Sequence, residues 1–329
     1  MNVSSSSALC FGKLPSHADF IRFNAASREA LAFDEWLHHG LYFVRTQLGP
    51  GWEQDFSRAP AYRFVFNPEN ADRSLAGVLQ ASQDKSQRRY PFLVSLLLDR
   101  RWLHANDAHL TPAAFSSFFQ AAGHLISRAM NGLEAREIAD STQALNCPEP
   151  DRHAIMTLYN KEFLDTFTVT LFWQELFGSF GDPRKYLLFS NLVETLLPVR
   201  NRNFKRMSLG LRFPLLTGEQ RADYVACFWL HVSLVMLGSV PGWPFLFWNL
   251  PRNGTPAYLF LFFRQPSPKN FLQLLKPDAD SESICMVDEE GKGALGKASA
   301  MIPSALRALL DKQEGTLSGF LRGLTIALS

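Results

Sequence analysis

Residues 61–98 read AYRFVFNPENADRSLAGVLQASQDKSQRRYPFLVSLLL, and three strand signals lie within them. Ala61-Tyr62-Arg63-Phe64-Val65-Phe66 alternates in part, and Leu75 to Ala81 is a second run. Tyr90 to Leu98 is a third, apolar almost throughout, as a central strand covered on both faces should be. The linking segments, Asn67 to Arg73 and Ser82 to Arg89, are too short for a helical crossover. Parallel neighbours need a dozen or more residues between them, so the run predicts an antiparallel meander.

Upstream, residues 8–14 read as a short strand, followed by a loop at Pro15 and Ser16. Ser27 is placed to cap a helix whose apolar positions Leu31, Trp36, Leu37, Gly40, Leu41, Val44 and Leu48 recur every three or four residues. Gly49-Pro50-Gly51 ends it. Downstream the period turns helical from Thr111-Pro112 through Phe115, Phe118, Phe119, Ala122 and Ile126, and further helices are expected over 154–178, 184–197 and 218–237. Thr217 with Gln220 has a capping-box spacing. A second β cluster follows at 244–248 and 257–263, joined by a hairpin loop at Pro251-Arg252-Asn253-Gly254, before a short helix from Pro268 to Leu275.

These elements give an α+β class: a mainly antiparallel sheet flanked by helices in an α/β/α-like sandwich, with a large helical insertion at about 105–240. Residues 1–277 are expected to form that domain. Residues 278–329, polar and Gly-rich at first and then modestly helical over 302–310 and 317–328, are expected to be a C-terminal appendage with weaker packing.

Composition narrows the function classes. A chain of 329 residues with 47% hydrophobic residues can bury a large core, and its aromatic share of 13% could also furnish a protein-binding patch. A net charge of +2 argues against nucleic acid; the densest basic cluster, Arg200, Arg202, Lys205 and Arg206, reads as a solvated loop rim. Cys10, Cys147, Cys227 and Cys285 are scattered with no C-x-x-C pair, which fits a reducing cytoplasm rather than a disulfide framework or zinc site. The N-terminus lacks a signal-peptide pattern. The apolar stretch Tyr224 to Val240 carries His231 and falls short of the ~20 residues a membrane span requires, so it reads as a buried helix.

Catalytic signatures are missing: no G-x-x-x-x-G-K-[ST], no G-x-G-x-x-G opening a helix, no H-E-x-x-H and no G-x-S-x-G. Ser16, His17 and Asp19 are too close in sequence to form a triad, which needs a base bonded to both neighbours. His38 and His39 diverge by ~100° on a helix. His104 and His109 fit no metal spacing and read as surface histidines. The loop Ser82 to Arg89, with Asp84, Arg88 and Arg89, could hold an anionic group or be a solvated hairpin tip.

Phe11-Gly12-Lys13-Leu14-Pro15 followed by Asp19-Phe20-Ile21-Arg22 resembles the opening motif of the TagF family of type VI secretion-associated proteins. The likeness continues through Trp36-Leu37, Tyr62-Arg63-Phe64, Gly77-Val78 with Ser82 and Asp84, and Arg89-Tyr90-Pro91-Phe92. It returns at Pro244-Phe245-Leu246-Phe247-Trp248 and Phe271-Leu272-Gln273-Leu274-Leu275. Gln80-Ala81 and Gln87-Arg88 depart from the family's usual residues, and the tail beyond 278 has no counterpart. The resemblance implies a non-enzymatic cytoplasmic post-translational regulator, usually a repressor, of type VI secretion assembly that needs no cofactor. The implied partner is the forkhead-associated scaffold protein of that system.

Within the opening block Phe11, Leu14, Phe20 and Trp36 are expected in the core, and Gly12 is expected to meet a backbone need that a side chain would obstruct. Lys13, Asp19, Arg22, Asp84, Arg88 and Arg89 are the candidate site residues, polar and loop-borne, where binding residues concentrate. Asp19, Arg22, Asp84 and Arg89 are expected to form one ionic cluster near a sheet edge, fixing two loops or facing a partner. The competing classes are a phosphoesterase using Asp84 and Arg89, and a membrane-associated scaffold component held by residues 224–240.

Overall fold

A computed structural model describes residues 7–328 apart from 70, 105–106, 146, 148, 203–206, 217, 239–244, 251–255 and 290–297. The strands are β1 (Ala8–Gly12), β2 (Ile21–Phe23), β3 (Tyr62–Phe66), β4 (Arg73–Gln80), β5 (Phe92–Asp99), β6 (Gly210–Pro214), β7 (Phe245–Asn249), β8 (Tyr258–Phe262) and β9 (Ile284–Met286). They form one sheet in the order β2-β1-β5-β4-β3-β7-β8-β6-β9. All neighbours are antiparallel except β6 and β9. The predicted meander is β3-β4-β5, with β1 added beyond β5 and the β7-β8 hairpin beyond β3.

The first helices are α1 (Arg28–Leu48) and α2 (Trp52–Arg58). The central group comprises α3 (Arg101–His104), α4 (Thr111–Ala114), α5 (Ser116–Met130), α6 (Ala135–Gln143), α7 (Arg152–Tyr159), α8 (Val169–Phe177), α9 (Arg184–Leu196) and α10 (Glu219–Leu237). The last are α11 (Phe271–Leu275), α12 (Ala298–Met301), α13 (Ser304–Asp311) and α14 (Leu317–Ala327).

The strands read as continuous apolar runs because helices cover both faces of the sheet. Alternate residues divide between two cores. Leu9, Phe11, Phe64, Phe66 and Phe247 face α1 and α11, while Cys10, Val65, Leu246 and Trp248 face the central helices. On the first face Phe33 of α1 lies 4.5 Å from the Phe64 ring centroid and Trp36 lies 5.3 Å from Phe247. Each such aromatic pair adds about 0.5–1.5 kcal/mol beyond area burial. Trp36 also donates its indole N–H to the Pro266 carbonyl at 2.8 Å. Ser27 caps α1 by accepting from the Ala30 amide at 3.2 Å, as its position predicts.

The two halves of the chain are bolted together through the sheet. Arg63 of β3 and Asp223 of α10 are both almost fully buried, with Arg63 Nη1 at 2.6 and 2.5 Å from the two carboxylate oxygens. The Trp248 indole donates to the same carboxylate at 2.9 Å.

Several expectations need correction. The region 105–240 is not purely helical, because it contains β6, which pairs with β8 and β9. The stretch 154–178 is two helices, α7 and α8; Thr168 caps the second by accepting from the Leu171 amide. Nor is the segment after 277 weakly packed. It supplies the edge strand β9, and Val287, Ile302, Leu306, Leu310 and Phe320 join the central core. Fully buried Arg212 holds this segment through Asp278 at 2.8 Å, Asp288 at 3.6 Å and Glu289. The capping residue Thr217, the hairpin loop 251–254, and Lys205 and Arg206 of the basic cluster lie outside the described residues. Among the described residues no helix is long and apolar enough to cross a membrane. Residues 224–237 instead lie in α10, against the sheet.

Candidate functional site

Gly12 ends β1 opposite Phe92, the first residue of β5. Its φ is +131°, and a Cβ there would lie 2.1 Å from the Pro91 carbonyl oxygen and 2.7 Å from the Phe92 Cα. That close approach, the obstruction expected from the sequence, sets the loop after β1 beside the loop before β5. The Lys85 amide then donates to the His17 carbonyl at 2.8 Å.

Asp84 is the hub joining those loops. Its buried carboxylate receives Lys13 Nζ at 3.0 Å, Arg88 Nε at 2.6 Å, and the backbone N–H groups of Ser86 and Arg88, each at 2.9 Å. Burial alone would raise its pKa. The hydrogen bonds from the Arg88 backbone, Lys13 and the Arg88 side chain outweigh it and bring the pKa down to about 2. Arg88 also donates to the Ala18 carbonyl at 2.9 Å. Gln87 takes a left-handed φ of +61° at the tip.

Arg22 projects from β2 toward α1 instead. Its Nη2 lies 2.6 Å from the Asp34 carboxylate, Nη1 donates to the Ala25 carbonyl at 3.0 Å, and the guanidinium sits 5.3 Å from the ring centroids of Phe11 and Phe20. Tyr90 donates its hydroxyl to the same Asp34 carboxylate; burial first, and Asp34 second, push the phenol pKa up. Arg89 stands 4.0 Å from Glu53. Asp19 is exposed and makes no ion pair among the described residues.

The single cluster of Asp19, Arg22, Asp84 and Arg89 is therefore not formed. Its members separate into Lys13–Asp84–Arg88, Arg22–Asp34 and Arg89–Glu53, and Asp19 stands apart. The sheet register causes the division: β1 lies between β2 and β5, so Arg22 is carried away from the Asp84 loop.

Lys13, Arg22, Arg88 and Arg89 nevertheless line one groove of about 930 Å³. Its other wall is the outer face of α1, with Leu31, Glu35, His38, Tyr42 and Arg45, and Trp52 and Glu53 of α2 close one side. Leu31 is 50% exposed, Tyr42 70% and Phe20 36%, so Phe20 leaves the core expected for it. Phe20 lies over Tyr90, 5.2 Å between ring centroids. Sequence reasoning missed Asp34, Tyr42, Arg45, Trp52 and Glu53. A signal existed: Leu31, Glu35, His38, Tyr42 and Arg45 recur every three or four residues, marking a second stripe on α1.

The remaining candidates resolve simply. Ser16 Oγ and His17 Nδ1 lie 2.9 Å apart with no third member. His109 is buried rather than on the surface, its ring 4.3 Å from that of His231. No disulfide joins the four cysteines, and Cys10 and Cys227 are buried.

Comparison with known proteins places this geometry. Residues 10–145 match the family model of the TagF N-terminal domain, type VI secretion system-associated. The matched region holds the end of β1, β2 to β5, α1 and α2, and thus all the residues named around the groove. Curated proteins give no match. The crystal structure of PA0076 from Pseudomonas aeruginosa PAO1 superposes with a TM-score of 0.51 at 16% identity, covering 84% of this chain and 96% of that one. At that identity the likeness concerns the fold alone.

Proposed function

We propose that this chain, whose residues 10–145 match the TagF N-terminal domain model, is a cytoplasmic post-translational regulator of type VI secretion assembly that acts by binding another protein. On this reading it is a repressor, non-enzymatic, and its partner is the forkhead-associated scaffold component of the system. The observation that carries the reading is the groove. Within the TagF-matched residues, Arg22, Arg88 and Arg89 surround exposed Phe20, Leu31 and Tyr42. Aromatic and Arg side chains gathered in a concavity are the composition of protein-binding hot spots.

The phosphoesterase alternative asks Asp84 to act as a free carboxylate. Its oxygens are occupied by Lys13, Arg88 and two backbone amides, which suits a structural hub better than a nucleophile or metal ligand. The test is overexpression in the native host with secreted effector measured. Tyr42→Ala, exposed and at no buried contact, is the matched variant. Secretion should fall with the wild type and recover with the variant; unchanged secretion on wild-type overexpression would refute repression.

A further inference from the structure

The groove's cations are unevenly answered. Lys13, Arg22 and Arg88 each meet a carboxylate, at 3.0, 2.6 and 2.6 Å. Arg45 makes no ion pair among the described residues; its guanidinium lies 5.7 Å from the Trp52 ring centroid. Arg89 reaches Glu53 only at 4.0 Å, that glutamate side chain is 57% exposed, and Arg89 Nε is buried without an acceptor among the described residues. Both guanidiniums thus flank Trp52 and Glu53, next to the most exposed aromatic of the groove, Tyr42.

We propose that the groove takes an acidic segment of a protein partner. A carboxylate of that segment sits at Arg89 and Arg45, and neighbouring aliphatic or aromatic side chains rest on Tyr42, Trp52 and Phe20. This rests on the protein-binding reading above and adds the chemistry of what is bound. An arginine fork matches a carboxylate with two parallel hydrogen bonds, which the outer guanidinium nitrogens of Arg89 and Arg45 can offer from the groove wall. A basic segment would meet two guanidiniums with no close counter-ion. A nucleic-acid backbone is a poor fit for a different reason: its row of phosphates would run against Asp34, Glu35 and Glu53 in the same groove, whereas one or two carboxylates can be placed between them.

The test uses the full chain and three fluorescein-labelled peptides of about twelve residues, alternating Glu, Gln or Lys with Leu and Phe, read by fluorescence anisotropy. The wild type should bind the Glu peptide, and the Gln and Lys peptides at least about tenfold more weakly. Arg45→Glu and Arg89→Glu should each weaken the Glu peptide by about tenfold or more, and Tyr42→Ala should weaken it severalfold at unchanged salt dependence. Arg45 and Tyr42 are exposed, so those variants keep the fold even if Arg89→Glu disturbs it. Equal affinity for the Glu and Gln peptides, preference for the Lys peptide, or indifference to Arg45→Glu and Tyr42→Ala would overturn the proposal. Should Tyr42→Ala abolish regulation of secretion while the Glu peptide binds all variants alike, the acidic-segment assignment falls and the protein-binding reading stands.

Discussion

Replacing Gly12 with Ala should be far more damaging than the same change at Gly49, and the structure says by how much. Both glycines have positive φ, +131° and +59°, so both alanines take on backbone strain of about 1–3 kcal/mol. The surroundings then separate them. At Gly49 a Cβ meets nothing within 4 Å, while at Gly12 it would meet the Pro91 carbonyl oxygen at 2.1 Å and the Phe92 Cα at 2.7 Å. Both obstacles are backbone of a central loop and strand and cannot swing aside as a side-chain tip would. Relief requires prising β1 from β5, an overpacking penalty of about 1–3 kcal/mol. Gly12→Ala should therefore be less stable than Gly49→Ala by about 2 kcal/mol. With a urea slope of about 3 kcal/mol per molar, expected at the upper end of the usual range for a chain of this size, that is a midpoint difference of ~0.7 M. Urea titration followed by tryptophan fluorescence measures it. Coincident midpoints would show that the two loops do not depend on this close approach.

Other consequences follow from the same contacts. Asp223→Ala leaves Arg63 buried without its counter-ion, so it should destabilise by about 3–5 kcal/mol, while Arg63→Met with Asp223→Leu should recover much of that in thermal melts. Asp84→Ala should free the tip of its loop, seen as faster tryptic cleavage after Arg88 and Arg89 under native conditions. Because the Asp84 pKa is lowered to about 2, its contribution is present above the ordinary carboxylate range and is lost only as pH falls toward 2; wild-type protection of the Lys85 and Arg88 amides from hydrogen exchange should persist at pH 4. His231 acts in the same direction at higher pH. Burial pushes its pKa down from 6.5 to about 4, so the unfolded chain binds the proton first and stability declines as pH drops from about 6.5 to 4. The loss is at most about 3 kcal/mol, and His231→Gln should flatten the profile between those pH values in denaturant titrations.

Much of the sheet was legible because its strands are covered on both faces. A run such as Phe92 to Leu98 has no solvent side to interrupt it, and short loops leave antiparallel pairing as the one option. β2 and β9 were not legible, since strands of three residues carry too little periodicity to stand out from a loop, and β6 was hidden by Arg212 at its centre and Pro214 at its end. The tail misled for a related reason. Residues 278–289 look polar because Asp278, Asp288 and Glu289 are there to neutralise Arg212, a fully buried cation 66 residues before the first of them, and no local pattern records that pairing.

The groove shows the same limit more sharply. Its candidate cations were readable one by one, because charged residues beside Gly12 and in a Ser-rich loop have no core to enter. Which carboxylate each would meet depends on strand order. Had β2 not returned along β1, Arg22 could have reached the Asp84 loop; since it does return, Arg22 is delivered to Asp34 of α1, and Asp84 is left to Lys13 and Arg88. Among the described residues the only acid Arg89 meets is Glu53, at 4.0 Å. Of the four residues first grouped as one ion cluster, Asp84 and Arg22 lie in closed sites, Asp19 stands apart, and Arg89 is left loosely paired in the groove that Tyr42 and Arg45 also line. A chain that needed these loops only for stability could have placed a nearer and more buried acid beside Arg89, as it did beside Arg22 and Lys13. The loosely answered guanidinium of Arg89 is therefore where partner contact should be sought first.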